Sequence, residues 1–101
     1  MHQDNARVFK ALCDEKRLEI LAQLRGGEKC ACVLLAQMDI SQSTLSYHMK
    51  ILCESGIVEC WQAGKWTHYR ISREGSRYAA ELLNIITTEA STDSAPDAEC
   101  C

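Results

Sequence analysis

Apolar residues recur along this chain at two different periods, and the change from one to the other organises it. Val8, Phe9, Leu12 and Cys13 fall at helical spacing and predict a first helix over residues 4–13. Asp14 suits the N-cap of a second helix, whose apolar positions Leu18, Ile20, Leu21 and Leu24 run up to a Gly26-Gly27 stop. Val33, Leu34, Leu35 and Met38 predict a short third helix over residues 30–38, with Cys30 and Cys32 in its first turn. Ser41 then caps a fourth helix that runs to "CESG", where Gly56 takes the left-handed stop position. Beyond Gly56 the period shortens. "IVECWQ" and "KWTHYRIS" are rich in β-branched and aromatic residues, and "AGK" between them reads as a turn, so this stretch predicts a hairpin. Helical period returns in "REGSRYAAELLNIITTEA", with Tyr78, Leu82, Ile85 and Ile86 on one stripe and Ala79 and Leu83 beside it. The tail "STDSAPDAECC" is small, polar and acidic, and is expected to be disordered.

Helix, helix, short helix, helix, hairpin, helix is the layout of a winged helix-turn-helix, mainly α with a β-hairpin wing. The fourth helix carries two stripes. Leu45, Met49 and Leu52 form the inward one; Ser43, Ser46, Tyr47, Lys50 and Glu54 form an outward, hydrogen-bonding one. Any amphipathic helix has a polar outer face, but the hairpin that follows this one tips the reading towards double-stranded DNA. Recognition helices dock by their N-terminal residues, so Ser41, Gln42 and Ser43 lie nearest the bases, with Gln42 suited to pair with adenine. Ser46 and Tyr47 follow on the same face. Lys50 and the wing residue Lys65 are expected on phosphates, where they set register rather than sequence. His48 falls between the stripes and is expected to be buried with its ring hydrogen-bonded, more readily than to ligate a metal.

Composition bounds this picture without changing it. A chain of 101 residues is one domain with a single core. Net charge is −3, which speaks against nucleic acid until its distribution is considered. Residues 41–73 carry Lys50, Lys65, Arg70 and Arg73 against only Glu54 and Glu59, and the acidity gathers towards the C-terminus. The polar N-terminus is no signal peptide and no apolar run approaches a membrane span, so a cytoplasmic protein without membrane contact is expected. The last helix is too apolar to cover a small core on one side only. A second copy against it explains the width, and a two-fold homodimer matches two DNA half-sites one helical turn apart. Residues 1–90 are therefore expected to bind DNA and dimerise, with 91–101 a flexible acidic tail ending in vicinal cysteines.

"ISQSTLSYHMKILCESGIVE" followed by "AGKWTHYRIS" resembles the recognition helix and wing of the ArsR/SmtB family of bacterial metalloregulatory repressors, over residues 6–90. The resemblance implies a homodimeric winged helix protein that binds a palindromic operator without a cofactor and leaves it when a toxic metal or metalloid binds. Tyr47 stands where many relatives carry Arg, so hydrogen bonding is retained there and charge is lost. Cys30 and Cys32 resemble the thiol core of the arsenic-sensing branch, familiar as "ELCVCDLC". Here Val33 replaces the Asp and Leu35 stands where the third cysteine would be. A zinc site of Asp, His and Glu, which some members carry on their C-terminal helices, is not expected, because residues 74–90 hold neither His nor Cys.

Seven cysteines with no CxxC exclude a thioredoxin-like motif, and an odd count argues against a disulfide framework. No His or carboxylate is spaced to activate a thiol, so an enzyme is not expected. On an ideal helix positions i and i+2 point about 200° apart, so Cys30 and Cys32 share one ion only if the first turn opens. Opening that turn would distort the helix that supports the recognition helix. Soft thiolates suit trivalent arsenic, and a methylated form needs only two of them. The expected inducer is thus arsenite or methylarsenite, with antimonite alike. A thiol-oxidation switch or a Cd/Pb/Zn-sensing repressor of the same fold are the alternatives. Cys100 and Cys101 are second candidates, as a third ligand or a separate site. Cys13, Cys53 and Cys60 are expected to be packed, with Cys53 the best remaining ligand.

Overall fold

The computed structural model describes residues 2–90, in the order α1 (His2–Ala11), α2 (Glu15–Leu24), β1 (Lys29–Cys30), α3 (Ala31–Gln37), α4 (Gln42–Glu54), β2 (Val58–Ala63), β3 (Trp66–Ile71) and α5 (Arg73–Thr87). Residues 91–101, and with them the expected tail, Cys100 and Cys101, lie outside the described residues.

Short polar side chains start three of the helices. The Asp14 carboxylate accepts from the backbone N–H groups of Lys16 at 2.7 Å and Arg17 at 3.3 Å, opening α2. Burial works to raise the Asp14 pKa, but these two hydrogen bonds, with the nearby His48 and Arg17, outweigh it and hold the carboxyl below its ordinary value. Ser41 Oγ accepts from Thr44 N–H at 3.1 Å to open α4, and Ser72 Oγ accepts from Gly75 N–H at 3.0 Å to open α5. The first helix ends at Ala11, because the N–H groups of Leu12 and Cys13 fold back onto the carbonyls of Phe9 and Lys10. Gly56 has φ +86° and Gly64 has φ +68°, the left-handed conformations that end α4 and turn the hairpin.

The core lies around α4, which packs on α1, α2 and β2. Leu45, Met49 and Leu52 are buried as their stripe predicts, against Ile20 and Leu24 of α2, Leu34 of α3 and Val8 and Ala11 of α1. Each such side chain contributes about 1.5–3 kcal/mol on burial, so α4 is fixed mainly by this stripe. Leu82 is buried beneath α5, while Tyr78, Leu83, Ile85 and Ile86 remain exposed.

The sheet has three strands in the order β1-β3-β2, all antiparallel. The hairpin pairs Val58 with Ile71 through to Ala63 with Trp66. The third strand, β1, is absent from the sequence reading: Lys29 pairs with Tyr69 and Cys30 with His68. Two residues are too few to show a period, yet they join the start of α3 to the wing.

Candidate nucleic-acid interface and thiol sites

Gln42, Ser43, Ser46, Tyr47, Lys50 and Glu54 all lie exposed on one side of α4, opposite its buried stripe. Ser41 is committed to shaping the helix start, since its hydroxyl caps Thr44 N–H, donates to Thr44 Oγ1 at 2.9 Å and lies 3.2 Å from Ser43 Oγ. Lys65 is exposed at the hairpin tip, directly after Gly64. The body of the wing is braced by its own side chains. Trp61 stacks on His68 with ring centroids 5.8 Å apart, and Arg70 lies 5.0 Å over Trp61 while donating to Glu59 at 2.8 Å. That pairing partly neutralises Arg70 and leaves Lys50 and Lys65 as the cations on the outward surfaces of helix and tip.

His48 is buried, as expected, and its partner is one that sequence reasoning missed. Arg17, itself buried, donates from Nη1 to His48 Nδ1 at 2.9 Å, from Nε to the Ala11 carbonyl at 3.1 Å and from Nη2 to the Lys10 carbonyl at 3.1 Å. A guanidinium has no lone pair to offer, so Nδ1 accepts in this hydrogen bond. The arrangement ties the end of α1 and the start of α2 to the middle of α4. A signal was present: Arg17, Ile20 and Leu24 sit at i, i+3 and i+7, so Arg17 occupies an inward position.

The thiols depart from expectation in two places. Cys30 is not inside a helix but at the N-cap of α3 in extended conformation, φ −83° and ψ 160°, while Cys32 is in the first turn. The opposed geometry of an ideal helix therefore does not apply. The two Cα atoms are 5.3 Å apart and the sulfurs meet, joined as a disulfide. No unwinding is needed to bring them together. Cys13 and Cys60, expected to be packed, are exposed instead, and Cys53 is half-buried. Cys13 lies beyond the end of α1, and Cys60 lies in the middle of β2.

Cys60 and Cys53 also line one cavity at the junction of α4 and β2. Burial raises the Cys53 thiol, hydrogen bonding to Cys60 and the charges of Cys60 and Glu54 raise it further, and it is pushed up to about 12. Burial, with Cys53 and Cys60, also raises the Tyr69 hydroxyl beside them, against a lowering hydrogen bond from Thr67. Among the described residues no three His, Cys, Asp or Glu side chains gather to hold a metal ion. Both thiol sites are pairs.

Residues 14–59, from the cap of α2 into β2, match the family described as bacterial regulatory protein, arsR family. The chain is 39% identical over 87 residues to the arsenical resistance operon repressor of Staphylococcus xylosus, covering 86% of this chain and 84% of that one. This chain belongs to the ArsR family. In three dimensions this ArsR-family chain is similar to an ArsR-like transcriptional regulator from Rhodococcus sp. RHA1, with a TM-score of 0.73 and 30% identity over 84% of this chain and 78% of the other. It is also similar to a homodimeric winged helix-turn-helix DNA-binding domain from Mycobacterium bovis, described as a possible ArsR-family regulator, with a TM-score of 0.69 and 27% identity over 92% and 89% of the two chains. The fold of the ArsR-family chain is a winged helix-turn-helix, in which α3 and α4 form the helix-turn-helix and β2 and β3 the wing.

Proposed function

We propose that this chain is a homodimeric repressor that grips a palindromic operator through α4 and the wing and releases it when a trivalent arsenical bridges Cys30 and Cys32. The observation that carries the reading is the position of that pair. Cys30 pairs with His68 of the wing, and Cys32 lies in the helix that leads through residues 38–41 into α4. Whatever sets the separation of the two sulfurs sets the angle between wing and recognition helix.

In the DNA-bound dimer, Gln42, Ser43, Ser46 and Tyr47 face base edges and the adjoining backbone, while Ser41 holds the helix start in shape. Lys50 and Lys65 reach phosphates. No helix among the described residues is long and apolar enough to cross a membrane, and the protein works in the cytoplasm beside the DNA it controls. Residues 1–90 carry DNA binding and dimerisation, and Cys100 and Cys101 are second candidate ligands. The kinship with an arsenical resistance operon repressor supports arsenic as the inducing element. The chemistry of the pair supports a centre that accepts two soft sulfur ligands, as arsenite, methylarsenite and antimonite do. On binding, each reduced thiol gives its proton to a hydroxyl leaving the arsenic, two waters depart, two As–S bonds form, and no oxidation state changes. A difference of about 3 kcal/mol between the liganded and free protein in affinity for the operator releases it roughly 100-fold.

The disulfide between Cys30 and Cys32 favours a second reading, in which oxidation of the same pair is the releasing event. One titration separates them. Protein bound to a fragment of its own promoter receives arsenite, methylarsenite, antimonite, cadmium or peroxide, with an arsenic-compatible phosphine reductant in the first four. Arsenicals are expected to release wild type, and Cys30→Ser and Cys32→Ser proteins are expected to bind DNA normally but stay bound. Normal release from Cys30→Ser would place the site elsewhere, and release by peroxide alone would give the second reading precedence.

A further inference from the structure

A second thiol pair lies outside the CxC site, where the recognition helix meets the wing. Cys53 is in the last turn of α4 and Cys60 in the middle of β2, with Cys60 paired across the sheet to Tyr69. Both remain free thiols, and both line one cavity at the junction of helix and hairpin. That cavity, of about 300 Å³, is walled by Met49 and Tyr69 and rimmed by Ser46, Lys50 and Glu54.

We propose that Cys53 and Cys60 form a dithiol site for a monosubstituted trivalent arsenical, whose organic group lies in the adjoining cavity. The donor set selects this class. A zinc-like cation wants four ligands, and no third His, Cys, Asp or Glu joins the pair among the described residues. A trivalent arsenic already bonded to one carbon has two exchangeable positions left, and two sulfurs fill them. The thioether of Met49 and the ring of Tyr69 offer the carbon substituent an apolar wall. The step balances as two As–OH bonds broken, two As–S bonds formed, two thiol protons carried off in two waters, and arsenic still trivalent. Cys53 holds its proton tightly until that exchange, which keeps its own thiol a poor nucleophile. Once closed, the chelate ties the end of α4 to β2. The site stands whether or not Cys30 and Cys32 take the inducer, because it shares no residue with them.

Phenylarsine oxide is the probe, and wild-type full-length protein is the sample. The protein is treated with one to two equivalents in excess glutathione, which removes any arsenical held by a single sulfur, and is then alkylated with a light maleimide. A small dithiol strips the arsenical, a heavy maleimide labels the thiols so uncovered, and trypsin follows. Lys50 and Lys65 bound a peptide that carries Cys53 and Cys60, while Cys30 and Cys32 fall on a different one. Heavy label is expected on both Cys53 and Cys60, and Cys60→Ser is expected to lower the heavy label at Cys53 at least about tenfold, since the second As–S bond is intramolecular. Equal protection of Cys53 in Cys60→Ser, or none in wild type, overturns the site. Equal protection by inorganic arsenite overturns the role given to the cavity. If neither thiol takes maleimide until a reductant is added, without any arsenical, the pair is a disulfide and the proposal fails. Loss of the CxC reading leaves all of these outcomes unchanged, since it is read on the other peptide.

Discussion

A Cβ placed on Gly75 would lie 1.7 Å from the carbonyl oxygen of Gly56 and 2.6 Å from its carbonyl carbon. The first turn of α5 therefore rests directly on the chain that leaves α4, and Ser72 N–H fixes the contact by donating to the Ile57 carbonyl at 2.8 Å. A side chain there meets the backbone of Gly56 and Ile57 and has no flexible neighbour to displace. Gly75→Ala is expected to destabilise by about 1–3 kcal/mol, as overpacking does. Thermal unfolding should show it as a melting point lower by roughly 4–8 °C for each kcal/mol in a domain of this size. An unchanged melting point would mean that α5 does not sit where this contact puts it. Nothing in the sequence singles out Gly75, because a glycine within a helical pattern reads only as a weak propensity and its reason lies in a neighbour far along the chain. The caps are the opposite case. Asp14, Ser41 and Ser72 act on groups two or three residues away, and two of them were legible from local pattern alone.

Among the elements, those with several turns or a full alternation were readable and those without were not. The stripe Leu45, Met49 and Leu52 and the hairpin around Gly64 repeat often enough to declare themselves. Strand β1 is two residues long and is defined by its partner, so Cys30 reads as helix until β3 claims its backbone. The same limit hid the Cys53–Cys60 pair, which exists only because the hairpin folds back beside the last turn of α4. Arg17 is the element-scale joint that the pattern did contain. It gathers carbonyls from α1 and a ring nitrogen from α4 around one buried guanidinium in α2. Arg17→Met keeps the length and apolar stem of the side chain but strands those three acceptors, two of them in buried hydrogen bonds. The expected loss is about 2–4 kcal/mol, since each buried group left unsatisfied costs on the order of 1–3 kcal/mol and some relaxation offsets the sum. Denaturant titration measures it directly. Alongside it, hydrogen exchange should quicken at the end of α1, and a variant as stable as wild type would show that the joint is replaceable by packing.

At the scale of the whole molecule, the apolar surface that one chain leaves uncovered bears on how it meets DNA. Tyr78, Leu83, Ile85 and Ile86 of α5 are each more than half exposed, and Leu18 of α2 is half exposed beside them. Leu18 and Leu83 border a groove of about 480 Å³, whose floor is Phe9, Leu12, Leu21 and Ala79. A soluble monomer seldom leaves so continuous an apolar face in water, whereas an isologous dimer covers it with the same face of a second copy. The similarity to a homodimeric domain from Mycobacterium bovis supports that arrangement. Leu83→Glu with Ile86→Glu changes only side chains that the single chain exposes, so each protomer is expected to keep its helical content. Sedimentation should then report the mass of one chain where wild type reports two. The consequence for the operator follows from geometry. A dimer presents two α4 helices to two half-sites, and the second contact forms within an already bound complex at high effective concentration. A monomer loses that advantage, so the double variant is expected to bind a full operator no better than an isolated half-site, and by at least about 100-fold more weakly than wild type. If the variant sediments as one chain and still binds the full operator with wild-type affinity, α5 joins protomers for some purpose other than reading DNA.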